Sequence, residues 1–222
     1  MRKFSQKSGF VLLLLIAAVL GGCKATIKRK ADLITYVNSP GNGLQKTQEA
    51  GKVKATLTYQ PWQLRLAKVN QKDGTTPPAG YADKLYFVLA LSADDKEVLR
   101  QLPISQYSEM VQVLAFRMQE FISLMPDGGK PLQPLDCLFQ QTYGMGTANN
   151  LLIVFNSGNM LDAEKLRVQV REFGLGIGNL DFEFKTKDIN NIPAIAINQY
   201  LHLQTIQHQS LYRYPVQIVN QN

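Results

Sequence analysis

The chain has 222 residues, of which 45% are hydrophobic and 18% are charged, an ordinary balance for a globular protein with a buried core. Its formal charge of +7 comes from the first thirty residues, which hold seven of the 24 basic residues and none of the acidic ones. Beyond position 30, 17 basic residues meet 17 acidic ones. The body therefore lacks the concentrated basic surface that nucleic-acid binding requires.

The first 23 residues have the layout of a secretory signal. A basic start is followed by an apolar run from Phe10 to Leu20 and then by Gly21-Gly22-Cys23. Eleven residues make about 16 Å of helix, whereas the hydrocarbon core of a bilayer is about 30 Å thick. The run is thus too short to span a membrane.

The sequence Leu20-Gly21-Gly22-Cys23 resembles the lipobox of bacterial lipoproteins. This resemblance implies cleavage after Gly22 and fatty acylation of Cys23, and several acyl chains on one residue hold a protein firmly to a membrane. In enterobacterial lipoproteins an aspartate after the cysteine favours retention in the inner membrane. Lys24 therefore implies an outer-membrane protein that faces the periplasm. The alternative is cleavage by the ordinary signal peptidase, with Cys23 incidental.

This resemblance divides the chain into three parts. Residues 1–22 are the predicted signal peptide, 23–50 the lipidated cysteine with a flexible tether, and 51–222 a single mainly-β domain. The tether prediction depends on the turn-rich segment 38–43 and on one short apolar run, 33–37, which has the length of a strand. The basic cluster at 24–30 is either part of a solvated tether or a contact for anionic headgroups.

The domain begins with strand patterns. Apolar and polar residues alternate over 53–60, and the alternation changes phase after Pro61, which predicts a bend or bulge before a continuing strand. The continuous apolar run Leu85–Leu91 predicts a central strand. Ser92-Ala-Asp-Asp95 has the pattern of a capping box, with a short helix after it.

The segment 105–125 has the apolar spacing of an amphipathic helix, and we predict one α-helix near 105–123. The predicted buried stripe contains Tyr107, Met110, Val111, Leu114, Met118, Phe121, Ile122 and Met125. Alternation over 116–124 and the Asp127-Gly128 pair leave a competing possibility, in which the last part is a strand that enters a hairpin.

Four further strands are predicted from short apolar segments separated by glycine-rich turns. They cover 135–141, 151–155, 166–173 and 181–186. This pattern predicts a mainly-β fold, an antiparallel, immunoglobulin-like β-sandwich with one α-helix. At the level of fold, it is similar to the small sandwich lipoproteins that tether trans-envelope machines, such as the outer-membrane lipoprotein of type VI secretion.

The last thirty or so residues are rich in Asn and Gln yet carry many apolar and aromatic side chains. They predict either two further strands that close the domain or an arm that binds a partner. In the second case Tyr200, Tyr212 and Tyr214 would contact the partner.

The sequence offers little chemistry. His202 and His208 are too far apart to share a metal ion, and the chain has no nucleophile motif, calcium loop or complete nucleotide-binding motif. Cys137 lies among apolar residues and is expected to be buried. We therefore predict no catalytic residue, cofactor or metal.

Two functions remain open. The first is a non-enzymatic lipoprotein, anchored through Cys23, that binds a protein partner in the cell envelope, as part of a secretion-type complex. The second is a ligand- or glycan-binding lipoprotein, or a hydrolase that uses carboxylates. The aromatic residues Tyr59 and Trp62 motivate the second function, because such rings stack on sugars, although a core position at a bend is the competing interpretation of Trp62.

Overall fold

A computed structural model describes residues 26–27, 29–65, 80–81 and 83–193. These residues form two antiparallel sheets and three helices that pack around one core. The strands are β1 (Gln45–Ala50), β2 (Val53–Gln60), β3 (Lys84–Ala93), β4 (Lys96–Glu97), β5 (Ile122–Pro126), β6 (Asp136–Gln140), β7 (Asn149–Asn156), β8 (Lys165–Val170) and β9 (Leu180–Lys185). The prediction of a mainly-β fold with antiparallel sheets is confirmed.

The larger sheet has the order β1-β2-β3-β7-β6, and β4 pairs with the end of β3. Strand β3 is central, as the run Leu85–Leu91 predicts. Its Leu89 lies opposite Leu57 of β2 and Leu151 of β7, and all three side chains are fully buried. This face of the sheet is therefore the core face.

The smaller sheet has the order β5-β8-β9. In β9, Leu180, Phe182 and Phe184 are buried and alternate with exposed charged residues, as the sequence predicts for this strand. The ring of Phe184 lies 5.3 Å from that of Phe87 on β3, centroid to centroid. The two sheets therefore contribute facing side chains to the same core.

The segment 23–50 is not a flexible tether where the structure describes it. Residues Lys30–Asn38 form helix α1, which packs against β2, and β1 follows it in the larger sheet. Leu33, Val37 and Leu44 are at most 2% exposed. The run at 33–37 was too short to reveal by periodicity that it forms a helix rather than a strand, and its burial depends on distant partners.

Two local predictions in the first half of the domain are wrong. After Pro61 the chain forms a 3₁₀ turn, Trp62–Arg65, instead of a second strand. Asp94 and Asp95 do not cap a helix, because both have positive φ angles, 50° and 55°, and form the tight turn between β3 and β4. A short 3₁₀ turn, Val98–Gln101, follows.

The predicted helix near 105–123 is present but shorter at its end. Helix α2 occupies 104–121 and has three parts: an α-helical Ile104–Gln112, a π-helical Val113–Arg117 and an α-helical Met118–Phe121. The chain continues as β5, where Leu124 pairs with Leu132 across the turn. Both sequence patterns are therefore correct for part of the segment, with the change at Phe121.

The larger sheet has two ends, which we name after the elements found there. At the β4 end lie β4, the loop 141–148 and the start of α2; the loop 171–179 follows the end of β8. At the α1 end lie the starts of β1 and β3, the turn Trp62–Arg65 that α1 contacts, and the short helix α3 (Thr186–Asn190). The ten residues of β3 separate the two ends by about 30 Å.

Candidate protein-binding surface

A cleft of about 230 Å³ opens at the β4 end, between the start of α2 and the loop 141–148. Tyr107 and Tyr143 line it together with Arg100. Tyr107 is 45% exposed and Tyr143 is 83% exposed. Two tyrosine rings and a guanidinium group therefore face solvent at one cleft.

Further apolar side chains lie next to the cleft. Ile104 is 92% exposed and stands one helical turn before Tyr107, whereas Met145 is 87% exposed and follows the cleft residue Gly144. Met110, Leu114 and Met118 of α2 are buried. Tyr107 was expected in that buried stripe and has the right spacing for it, but the residues of α2 before Met110 are all exposed, so the side chain of Tyr107 faces the cleft instead of the core.

The loop that carries Tyr143 is held by a buried carboxylate. Glu97 of β4 is only 3% exposed. Its Oε1 accepts hydrogen bonds from the Thr142 hydroxyl and from the Gly146 amide at 2.9 Å, and its Oε2 accepts from the Gly144 amide at 3.1 Å and the Asn149 side chain at 3.3 Å. Each carboxylate oxygen thus has two donors.

These donors keep Glu97 ionised. Burial raises the pKa of the carboxyl, but the hydrogen bonds from Thr142, Gly146 and Gly144, with the nearby Arg100 guanidinium, outweigh burial and lower the pKa below its ordinary value. An ionised group with all of its donors in place suits a structural role. It does not suit a general acid, which needs a raised pKa.

Two glycines of this loop, Gly144 and Gly146, fit positions that disfavour a side chain. A Cβ atom on Gly146 would lie 3.0 Å from Glu97 Oε1, and Gly144 has a left-handed φ of 80°. The Arg100 guanidinium donates to the Gly144 carbonyl at 2.8 Å. The loop is therefore fixed in place on both sides of Met145.

A second loop at the β4 end, 171–179, is also held by hydrogen bonds to a carboxylate. Glu172 accepts from the backbone amides of Gly174 at 2.7 Å and Gly176 at 2.9 Å through Oε1, and from Gly178 at 2.5 Å through Oε2. Burial raises the pKa of this carboxyl, but the amide donors lower it overall. The period-two glycines thus form a cradle of backbone amides around a carboxylate of the same loop.

Tyr59 and Trp62, the predicted surface residues near the first strands, do not line this cleft. Tyr59 is 7% exposed, and its ring meets Phe87 edge to face in the core, so it is not a surface residue. Its inward position follows from the alternation of β2, in which Ala55 and Leu57 are buried on the same face. Trp62 is half-buried at the start of its turn. Cys23, Gly22, Tyr200, Tyr212 and Tyr214 lie outside the described residues.

Two carboxylates of the described residues share a cavity, but their chemistry does not suit a hydrolytic pair. One cavity contains both Asp127 and Glu183, but Glu183 pairs with Lys165 at 3.0 Å. The hydrogen bond to Lys165 lowers the pKa of Glu183, opposite to the shift that a general acid requires.

In the part of the chain that the structure covers, no cluster of three or more His, Cys, Asp or Glu side chains is arranged to hold a metal ion. None of the helices described there has the length and apolarity for a membrane crossing. Cys137 is buried as predicted, and burial raises the pKa of its thiol to about 12.

Comparisons of the chain with protein-family models, with curated proteins and with solved structures gave no match. The cleft at the β4 end therefore has to be interpreted from its own side chains. Sequence patterns missed it, because Glu97 and its donors lie 45 to 52 positions apart in the chain.

Proposed function

We propose that the protein is a non-enzymatic lipoprotein of the cell envelope that binds a protein partner through the cleft at its β4 end. The observation that carries this proposal is the set of exposed apolar side chains around the cleft: Ile104, Tyr107, Tyr143 and Met145. Aromatic residues and arginine dominate the energetics of protein interfaces, and Arg100 lines the same cleft.

The rigid loops of the β4 end support this function. Glu97 and Glu172 each fix a loop through three or more hydrogen bonds. A surface that is already ordered loses little conformational entropy when a partner binds. The conformational entropy of the loop that carries Tyr143 is thus lost during folding and not when the partner binds.

The position of helix α1 supports an anchor at Cys23. Helix α1 is nine residues long, about 14 Å, and its last residue, Asn38, contacts Gln45 at the start of β1. Its first residue, Lys30, is thus one short helix away from the α1 end, and β3 separates that end from the β4 end by about 30 Å. Acylation of Cys23 would place the cleft on the side of the domain that faces away from the membrane.

We extend the proposal to location and architecture. The lipobox and Lys24 support an outer-membrane anchor with the domain in the periplasm, and such an arrangement suits a component of a secretion-type complex. The two facing sheets support an immunoglobulin-like sandwich, with loops clustered at one end as the binding end.

The test is cross-linking in intact cells from a photoreactive residue placed at Tyr143. The matched control is the same residue at Phe116, which is 81% exposed on α2 and does not line the cleft. We expect one discrete protein adduct from position 143 and none from 116. A Tyr107→Ser substitution should remove the adduct. Equal adducts from both positions, or none from 143, would overturn the proposed site.

A further inference from the structure

The outer face of the larger sheet, opposite the core, carries an apolar patch. In the register of the sheet, Leu138 of β6 lies beside Leu152 of β7, which lies beside Val88 of β3. These three side chains, with Leu135, form the outer patch. Leu138 is 49% exposed and Leu135 is 53% exposed, whereas Val88 and Leu152 are half-buried.

The patch extends into a shallow depression of about 700 Å³ toward the α1 end. Tyr81, Tyr86 and Val154 contribute to its lining, together with three charged residues, Arg65, Lys84 and Asp136. The same face carries Thr47, Thr56 and Thr58 on the neighbouring strands β1 and β2. The solvent-facing side of an antiparallel sheet is commonly polar. The apolar side chains on β3, β6 and β7 are therefore a surface on which another polypeptide segment could pack favourably.

The chain itself provides a segment at the right place. The described residues end at Pro193, shortly after α3, at the α1 end. Two contacts locate α3 and the strand ends at this end of the sheet. Gly43, just before β1, packs directly against Asp188 of α3. The Ser157 amide, just after β7, donates to the Asp83 carbonyl, just before β3. The remaining 29 residues thus leave from the end of the sheet at which the depression opens.

The composition and length of this segment match the surface. Six of the nine residues in 195–203 are apolar or aromatic, apolar and aromatic residues occur at alternate positions in 212–218, and Arg213 is the one charged residue beyond position 193. Fully extended, 29 residues reach about 95 Å, while β3 is about 30 Å long. The segment can therefore cross the whole face.

We propose that residues 194–222 pack their apolar side chains against the outer patch of the same molecule. This inference is independent of the partner surface, which lies at the other end of the domain. It assigns the C-terminal segment to the fold, as a cover for the sheet, in preference to an arm that binds a neighbour.

The experiment places p-benzoylphenylalanine at Leu138 in the full-length protein, with Phe116 as the control position. After irradiation of the purified protein and trypsin digestion, we expect an adduct between the peptide that contains position 138 and one of the two C-terminal peptides, 188–213 or 214–222. The control position should give neither. The double change Leu201→Ser and Leu203→Ser should remove an adduct to 188–213. The double change Tyr214→Ser and Val216→Ser should remove an adduct to 214–222. Because the packed segment stabilises the folded state, each double change should also lower the melting temperature slightly, with cooperative unfolding retained.

Three results would overturn the inference. The first is an adduct between two copies of the chain, which would make the patch a dimer interface. The second is an adduct to a different envelope protein when cells are irradiated, which would make it a second partner site. The third is the absence of any adduct to 188–222 in a protein that unfolds cooperatively.

Discussion

Replacement of Glu97 by glutamine tests the role of the buried carboxylate at the β4 end. Glutamine has nearly the same shape, but it offers one acceptor oxygen and an NH₂ group with two N–H donors where Glu97 offers two acceptor oxygens. If its amide nitrogen takes the place of Oε1, the Thr142 hydroxyl can rotate to accept, but the Gly146 amide cannot. If it takes the place of Oε2, the Gly144 amide is left without an acceptor.

The expected cost follows from that unpaired donor. A buried N–H group without a partner costs about 1–3 kcal/mol, and the bonds that remain are weaker because the acceptor is neutral. We therefore expect Glu97→Gln to lower the free energy of unfolding by about 2 kcal/mol. For a domain of this size, that corresponds to a drop of about 4–8 °C in the melting temperature.

The assay is thermal and urea unfolding of the mature chain with Cys23→Ser, which avoids detergent. The matched control is Glu183→Gln, because Glu183 is an exposed acid in a strand and pairs with Lys165 at the surface. Its melting temperature should stay at that of the parent chain. Hydrogen exchange should also accelerate at Gly144 and Gly146 in Glu97→Gln alone. A Glu97→Gln variant that melts with the parent and retains slow exchange would refute the role assigned to this carboxylate.

Three other properties follow from the structure. Folding lowers the pKa values of Glu97 and Glu172, so the stability they contribute is complete above about pH 4.3 and is lost as the pH falls through the lowered values. In a variant with both residues changed to Gln, the free energy of unfolding measured by circular dichroism should therefore fall less steeply at acid pH than in the parent. An unchanged fall would contradict this. Phe87→Ala should reduce the unfolding free energy by about 3–5 kcal/mol, since the ring is fully buried against Phe184; a loss under 1 kcal/mol in urea titration would be inconsistent with the shared core. Cys137 should react with Ellman's reagent only in denaturant, because burial raises its pKa to about 12; rapid reaction of the folded protein would show that the thiol is accessible.

The sequence was most informative where a local pattern matched the final environment. The alternation in β9 and the apolar run of β3 arise from one-sided and central burial, and both elements have the predicted position. Around 104–126, two periodicities overlap, and the structure uses the helical one up to Phe121 and the strand one from Ile122. A single element could not satisfy both patterns.

Elements whose role depends on distant residues were not predictable in the same way. The burial of Leu33 in α1 requires contact with β2, and the segment looked like a tether because turn residues surround it. The acceptor for Gly146 is Glu97, 49 positions earlier, so no local pattern connects them. For the second loop, a local signal existed, since Glu172 stands two residues before Gly174.

Attachment of the domain to a membrane through Cys23 is the feature on which the proposed function depends most. The most direct measurement is mass spectrometry of the peptide that ends at Ala31, released from purified envelopes by cleavage before Asp32. We predict a peptide that begins at Cys23 and carries fatty acyl groups on that residue. A mature chain in which Cys23 is unmodified, or which begins at another residue, would contradict the account.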